Sequence, residues 1–236
     1  MLCTVFDGSP SIPEAECRSL AERKWNDGKS CDWRGAFFLR KKMSSILISA
    51  KAYEKLLDIE YQFILGRKNK QISFSVFFNE YQFFHLSGLQ YLVDRSTLLY
   101  GDRKKLFYLI LNEQIKESQI SSSEFYPEIK DRVESLESLE SIFNSNKTVF
   151  KYNPQTQAFS MIESEFLMKN EVNSRNVFTF LSKDKSSGKY FCRSFFPQTD
   201  RDYSIGQTNW ALLYKKKIHK STGKEFVLCD RLNKKR

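Results

Sequence analysis

The chain has 236 residues, 41% of them hydrophobic, and a formal net charge of +10. That length and apolar content allow a buried core, and no run approaches the roughly 18 apolar residues of a membrane helix. The first 20 residues carry acids and prolines where a signal peptide would be apolar. Five cysteines without CxxC spacing indicate neither a disulfide framework nor a zinc site. We therefore expect a cytoplasmic, basic protein with reduced thiols and no membrane partner.

Residues 1–42 differ in composition from the rest, since they hold three of the five cysteines and two of the three tryptophans without a helical or strand period. At Met43 the segment MSSILISAKAYEKLL begins an amphipathic helix. We predict that residues 1–42 form an N-terminal extension outside the core, and that residues 43–236 form a single domain. Alternatively, the extension is an arm that docks on this domain through Trp25, Trp33, Phe37 and Phe38.

Two strands are predicted next, because YQFILGRKNKQISFSVFF places β-rich segments around a polar turn at residues 66–70. A short helix, kinked at Ser87 and Gly88, is predicted from Phe83, where apolar residues recur at helical spacing. Asp102 is a cap for a further helix that extends through Ile110.

An acidic helical segment follows a serine-rich break. It carries apolar residues at helical spacing, namely Ile129, Val133, Leu136, Leu139 and Phe143, and eight acids against three bases lie between Asn112 and Phe143. Such a charge pattern is typical of a solvated face, and an acidic docking face is the alternative.

After Asn146 the pattern changes to short segments rich in β-branched and aromatic residues. The predicted strands are TVFKY, AFSMI, NVFTFLS, KYFCRSFF, NWALLYKKKI and EFVLCDRL, and NEVNSRN after Lys169 is predicted to be a mobile loop. Helices first and strands later indicate an α+β class, with N-terminal helices packed on a curved antiparallel sheet formed mainly by the C-terminal half.

The basic charge is concentrated in the last quarter of the chain, where residues 183–236 hold 14 bases and 5 acids. Within this region Arg193 and Arg201 lie near aromatic residues, which is typical of a nucleic-acid surface. Lys189, Lys215, Lys216 and Lys217 are the accompanying candidates for nucleic-acid contacts.

Several kinds of chemistry lack their motifs. The chain has two histidines and no HxxxH or HxH ligand spacing, no GxxxxGK[ST], no GxGxxG and no GxSxG. We therefore expect no metal and no cofactor. Acid–base chemistry assisted by fixed cations remains.

Metal-free RNA cleavage needs a base, an acid and cations for the transition state. His85, in the aromatic context FFHLSGL, is the candidate acid or base, although a capping or core histidine is the structural alternative. Arg193 and Arg201 are candidates for gripping the phosphate, with ion pairing to Asp200 and Asp202 as the alternative. Tyr203 and Thr208 are predicted helpers whose hydroxyls complete the proton path or donate to phosphate oxygens.

The segments FHLSGL, SEFYPEIKDRVESLESLE and GKYFCRSFFPQTDRDYSIGQT, in this order, resemble the fourth phage-associated branch of the barnase–EndoU–colicin E5/D–RelE-like nucleases. The resemblance covers Ser44 to about Leu232. It implies a helical N-terminal part, a twisted antiparallel sheet that binds RNA, and metal-independent endoribonuclease activity in a toxin-like or mobile-element setting. By this resemblance His85, Arg193 and Arg201 lead the candidate site, and an antitoxin or immunity protein is a possible partner.

Two other functions fit the same residues. A non-catalytic nucleic-acid-binding module would use the same basic patch, and a nucleotide-dependent transferase toxin would use Arg193 on the phosphates of its cofactor.

Overall fold

The computed structural model of the protein describes residues 45–157 and 160–233. The predicted extension at residues 1–42 lies outside the described residues, so the predicted domain boundary stays a prediction.

Residues 45–144, the first part of the described chain, form six α-helices and two strands. The helices are α1 (Ser45–Leu56), α2 (Gln82–Leu86), α3 (Arg103–Leu111), α4 (Glu117–Ser121), α5 (Tyr126–Leu136) and α6 (Leu139–Asn144). The strands are β1 (Ile59–Arg67) and β2 (Lys70–Phe77), joined by a turn in which Lys68 and Asn69 both have positive φ. The hairpin and the cap at Asp102 are as predicted, since the Asp102 side chain accepts a hydrogen bond from the backbone N–H of Lys104.

Two predicted helices are broken in the structure. The segment after Phe83 ends as an α-helix at Leu86, and Gly88 adopts a left-handed conformation before a short 3-10 helix at Leu89–Tyr91. The acidic segment is divided between α5 and α6, although its predicted apolar face is buried in both.

The C-terminal half supplies β3 (Val149–Lys151), β4 (Phe166–Val172), β5 (Arg175–Lys183), β6 (Tyr190–Pro197), β7 (Thr208–His219) and β8 (Glu225–Asp230). Two predictions are wrong here. The segment NEVNSRN is a tight hairpin turn at Asn173–Ser174 with strand residues on both sides. Residues 160–162 of AFSMI lie outside any strand, and the strand of this region is β4, which begins at Phe166.

The strands form a closed barrel. They pair in the order β1, β2, β6, β5, β4, β3 and β7, and β7 returns to pair with β1, while β8 pairs with β7 outside this ring. Every pair is antiparallel except β2 with β6, whose short parallel contact joins Val76 to Tyr190 and Phe77 to Phe191. The predicted α+β class is confirmed.

The sheet is buried on both faces around β5, where five consecutive residues are buried. Val177 and Leu181 belong to the main core with the helices, whereas Phe178 and Phe180 join a smaller aromatic cluster on the opposite face. Because strand side chains alternate between faces, the same strand supports both the core and the wall of a surface site.

No helix within residues 45–157 and 160–233 combines the length and the apolar character needed to cross a membrane.

Candidate active site

A cleft of about 1010 Å³ opens between α2, α5 and β6. It collects three of the five predicted catalytic residues, His85, Arg193 and Tyr203, from three separate segments of the chain. Its lining also includes Tyr91, Arg103, Glu128, Asp131, Arg132, Met161, Cys192 and Phe196.

Arg193 occupies a β-bulge in β6. In the ladder with β5, Phe180 lies opposite Ser194 and Leu181 lies opposite Cys192, so Arg193 has no partner residue. A bulge redirects a side chain from the regular alternation of the strand, and such irregularities are common beside active sites. Arg193 is exposed and forms no hydrogen bond or ion pair with the described residues. The guanidinium of Arg193 therefore lies at the cleft with no hydrogen-bond partner among the described residues.

His85 lies in α2 and contacts Arg103, the first residue of α3. The Nη1 atom of Arg103 is 2.7 Å from Nε2 of His85. A guanidinium can only donate, so Nε2 accepts this hydrogen bond and the imidazole is neutral, with its proton on Nδ1. Burial of the ring lowers the pKa of His85, and the charges of Arg103 and Arg193 lower it further. The cleft thus contains an imidazole in the form that can accept a proton.

Two features position Arg103, namely the capped start of α3 and the ring of Phe84. The Asp102 cap fixes the start of α3, and the guanidinium carbon of Arg103 lies 5.3 Å from the ring centroid of Phe84. The sequence prediction included the cap but missed Arg103 as a site residue. Its only sequence signal is its place at the start of a predicted helix, and its contact with His85 depends on the packing of α2 against α3.

Arg132 of α5 is a second cation that the sequence prediction missed. Its guanidinium carbon lies 5.2 Å from the ring centroid of Tyr91 and 5.6 Å from that of Phe196. Burial lowers the pKa of Arg132, and interaction with the Tyr91 hydroxyl partly opposes this effect. Three arginines on three different elements therefore line one cleft.

The family model for phage-Barnase-EndoU-ColicinE5/D-RelE like nuclease4 matches residues 45–232, most of the chain. The chain belongs to this nuclease family. The resemblance expected from the sequence is confirmed, and with it a nuclease of the barnase, EndoU and colicin type. None of the curated proteins and none of the solved structures matches the chain.

The cleft of this nuclease carries Tyr203 on an aromatic wall. The ring of Tyr203 packs against those of Phe178, Phe180 and Phe196, with centroid distances of 5.6, 5.5 and 5.5 Å. Because these rings pack around Tyr203, its side chain is held rigidly where it lines the cleft.

Arg201 and Thr208 do not line the cleft. The guanidinium carbon of Arg201 lies 5.7 Å from the ring centroid of Tyr203, which does line it. Thr208 is the first residue of β7 and pairs with Lys151. Asp202, one of the predicted ion-pair partners of the arginines, pairs with Lys169 at an N–O distance of 2.6 Å.

The four predicted nucleic-acid-binding lysines lie apart from the cleft. Lys215 is 0% exposed, and its ammonium donates to the backbone carbonyl of Ser145 inside the core. The other three form ion pairs: Lys189 with Glu60, Lys216 with Glu225 and Lys217 with Glu140. The structure therefore gives all four a structural partner, and their predicted role in nucleic-acid contact stays a prediction.

Other reactive groups near the cleft are accounted for by packing. The Cys192 thiol is buried, and burial raises its pKa, which disfavours the thiolate. The Asp131 carboxylate pairs with Arg175. Within the described part of the chain, no three or more His, Cys, Asp or Glu side chains are grouped so that they could hold a metal ion.

Proposed function

We propose that this nuclease is a metal-independent endoribonuclease that cleaves RNA by acid–base transphosphorylation in the cleft. The main support for this proposal is that neutral His85, Arg103 and Arg193 line the same cleft of a nuclease-family protein. The reaction requires a base, an acid and fixed cations, and Tyr203 in the same cleft can supply the acid.

In the proposed reaction the ribose 2′-oxygen attacks the neighbouring phosphorus, and the bond from phosphorus to the 5′-oxygen breaks. Nε2 of His85 takes the 2′ proton, and Tyr203, on the cleft wall, gives a proton to the leaving 5′-oxygen. Arg193 and Arg103 stabilise the charge that grows on the non-bridging oxygens. The products are a 2′,3′-cyclic phosphate and a free 5′-hydroxyl.

Arg103 has a double part in this scheme. Without ligand it occupies Nε2 of His85, the atom that would accept the proton. A phosphate is a stronger partner for a guanidinium than a neutral imidazole, because the resulting hydrogen bonds are charge-assisted and bidentate. Binding of RNA would therefore draw Arg103 to the phosphate and release the base at the moment it is needed.

The test is cleavage of total RNA and of a tRNA panel in EDTA by the wild type, His85→Gln and Arg193→Ala. Arg67→Ala is the matched control, because it removes an exposed arginine that does not line the cleft. We expect the wild type and the control to cleave, and Arg193→Ala to lose about 10²- to 10³-fold in turnover, the usual loss on removing one transition-state donor. Equal turnover in all four proteins would overturn the assignment.

A non-catalytic binding module is the second candidate, favoured by the aromatic wall of Phe196 and Tyr203 beside three arginines, since rings and cations suffice to bind single strands. It predicts intact RNA in a salt-sensitive complex, with Arg193→Ala changing affinity and no product in any sample. In the toxin-like setting of the family, either function would be restrained by an inhibitor protein that covers the cleft.

A further inference from the structure

Arg132 is a charged side chain without a charged partner. It is half-buried in the cleft wall and forms no ion pair with any carboxylate of the described residues. The rings of Tyr91 and Phe196 cover its guanidinium at 5.2 and 5.6 Å. Buried charges in proteins are usually paired, and an unpaired one at the wall of a cleft indicates an anionic ligand.

The position of Arg132 is built into the fold. Gly88 has φ +83, and a Cβ atom there would lie 3.0 Å from Cδ of Arg132 and 2.9 Å from Cγ2 of Ile129. Only a glycine lets the backbone after α2 approach the stem of Arg132 this closely. Gly88 thus leaves room for the stem and two rings pack against the guanidinium, so the cation is positioned before a ligand arrives.

The cleft holds more positive charge than one phosphodiester requires. Arg103 and Arg193 are sufficient for a single phosphate, which carries one negative charge, and Arg132 is a third cation. Two acids line the cleft. Asp131 is paired with Arg175, so only the carboxylate of Glu128 remains to offset the charge of the three arginines. The excess charge matches a ligand with at least two phosphates.

We infer that Arg132 holds a second phosphate, next along the chain from the one at Arg103 and Arg193. The substrate is then a single polynucleotide strand bound through two consecutive phosphates, with the nucleoside between them inside the cleft. This inference rests on the proposed function for its substrate class, and it concerns binding rather than cleavage.

The experiment compares adenosine 3′-monophosphate with adenosine 3′,5′-bisphosphate by calorimetry in EDTA, using the wild type, Arg132→Met and Arg132→Lys. Lys130→Met is the matched control, because it removes a charge from the same helix at a position that does not line the cleft. Neither nucleotide has a scissile bond, so binding is measured whether or not the protein cleaves RNA. A failure of the nuclease proposal therefore remains distinguishable from a failure here.

We expect the wild type and Lys130→Met to bind the bisphosphate about tenfold or more tightly than the monophosphate, the usual effect of one charged hydrogen-bonded contact. Arg132→Met should remove this ratio, and Arg132→Lys should keep part of it, since a lysine keeps the charge but not the planar fork. The wild-type ratio needs no variant, so it stands even if Arg132→Met does not fold. Equal affinity for the two nucleotides in the wild type, or an unchanged ratio in Arg132→Met, would overturn the inference.

Discussion

His85 is an exposed histidine that its neighbours keep neutral. Its Nε2 accepts a hydrogen bond from Arg103, and its pKa is lowered by partial burial and by two nearby arginines. The aromatic context of FFHLSGL makes His85 a candidate from the sequence, and the structure places it in the cleft. Arg103 is not predictable in this way, because it is eighteen residues away on another helix and only the packing of α2 against α3 brings the two together.

The pKa of His85 should depend on Arg103. Arg103→Met removes a cation that disfavours the imidazolium, so the pKa of His85 should rise towards 6.5, the ordinary value. An NMR titration of the two histidines measures it, with His219 as the internal reference. The acidic limb of the cleavage rate should move to higher pH by the same amount.

The control for this titration is Lys105→Met, which removes an exposed charge two residues along the same helix. It should leave the pKa of His85 nearly unchanged. If Arg103→Met and Lys105→Met have the same effect, the contact between Arg103 and His85 does not govern the protonation of the imidazole.

At the scale of elements, the break between α2 and the following 3-10 helix positions the cleft. The sequence predicts a kink at Ser87 and Gly88 from the small residues alone. It does not predict that Gly88 lies against α5, because that requires the tertiary contact with Ile129 and Arg132.

Replacing Gly88 by alanine tests this contact. The change forces a side chain into a left-handed conformation and into a site with atoms 2.9 and 3.0 Å away, so it should lower the free energy of unfolding by more than the roughly 1 to 3 kcal/mol of backbone strain alone. Gly223→Ala is the matched control, since Gly223 has φ +66 with nothing within 4 Å of the added atom. Urea unfolding of both variants measures the difference, and equal losses would mean that the contact with α5 is unimportant.

Strand β4 shows why some elements escape prediction. Its buried position Asn170 is polar and only 6% exposed, and it donates to Oγ of Ser145 at 2.6 Å. A buried asparagine that is hydrogen-bonded to a distant serine interrupts the apolar pattern that marks a strand. Conversely, the apolar Met161 suggested a strand, but it is 94% exposed at the edge of the cleft.

At the scale of the whole molecule, closure of the barrel places a lysine inside the core. Lys215 of β7 was predicted to contact nucleic acid because it belongs to the basic run KKK. The alternation of β7 and its pairing with β1 and β8 instead bury Lys215, while Lys216 and Lys217 reach carboxylates nearer the surface. The pairing of β7 with both β1 and β8 depends on long-range contacts, so the number of charged residues in the sequence does not predict it.

Lys215 should make stability depend on pH. Desolvation lowers the pKa of Lys215 from 10.5 to about 8 in the folded protein. Between these values the unfolded chain binds a proton that the folded protein has released, so the contribution of Lys215 to stability grows as pH rises through this window. The free energy of unfolding of the wild type should therefore rise relative to that of Lys215→Met between pH 8 and 10.5.

Denaturant unfolding at several pH values measures this dependence, and the exposed Lys183→Met is the control. RNA affinity near neutral pH should be the same in Lys215→Met as in the wild type. A weaker affinity of Lys215→Met for RNA together with a flat stability difference would instead support the predicted contact of Lys215 with nucleic acid.

The central claim is that the cleft joins a 2′-oxygen to the neighbouring phosphorus without a metal. End-group analysis of an RNA oligonucleotide cleaved in EDTA, beside the same oligonucleotide with 2′-deoxyribose at the cleaved position, tests it most directly. We expect a 2′,3′-cyclic phosphate from the first substrate and no cleavage of the second, and Arg193→Ala should form the cyclic phosphate about 10²- to 10³-fold more slowly. A 5′-phosphate product, or equal cleavage of the 2′-deoxy substrate, would contradict it.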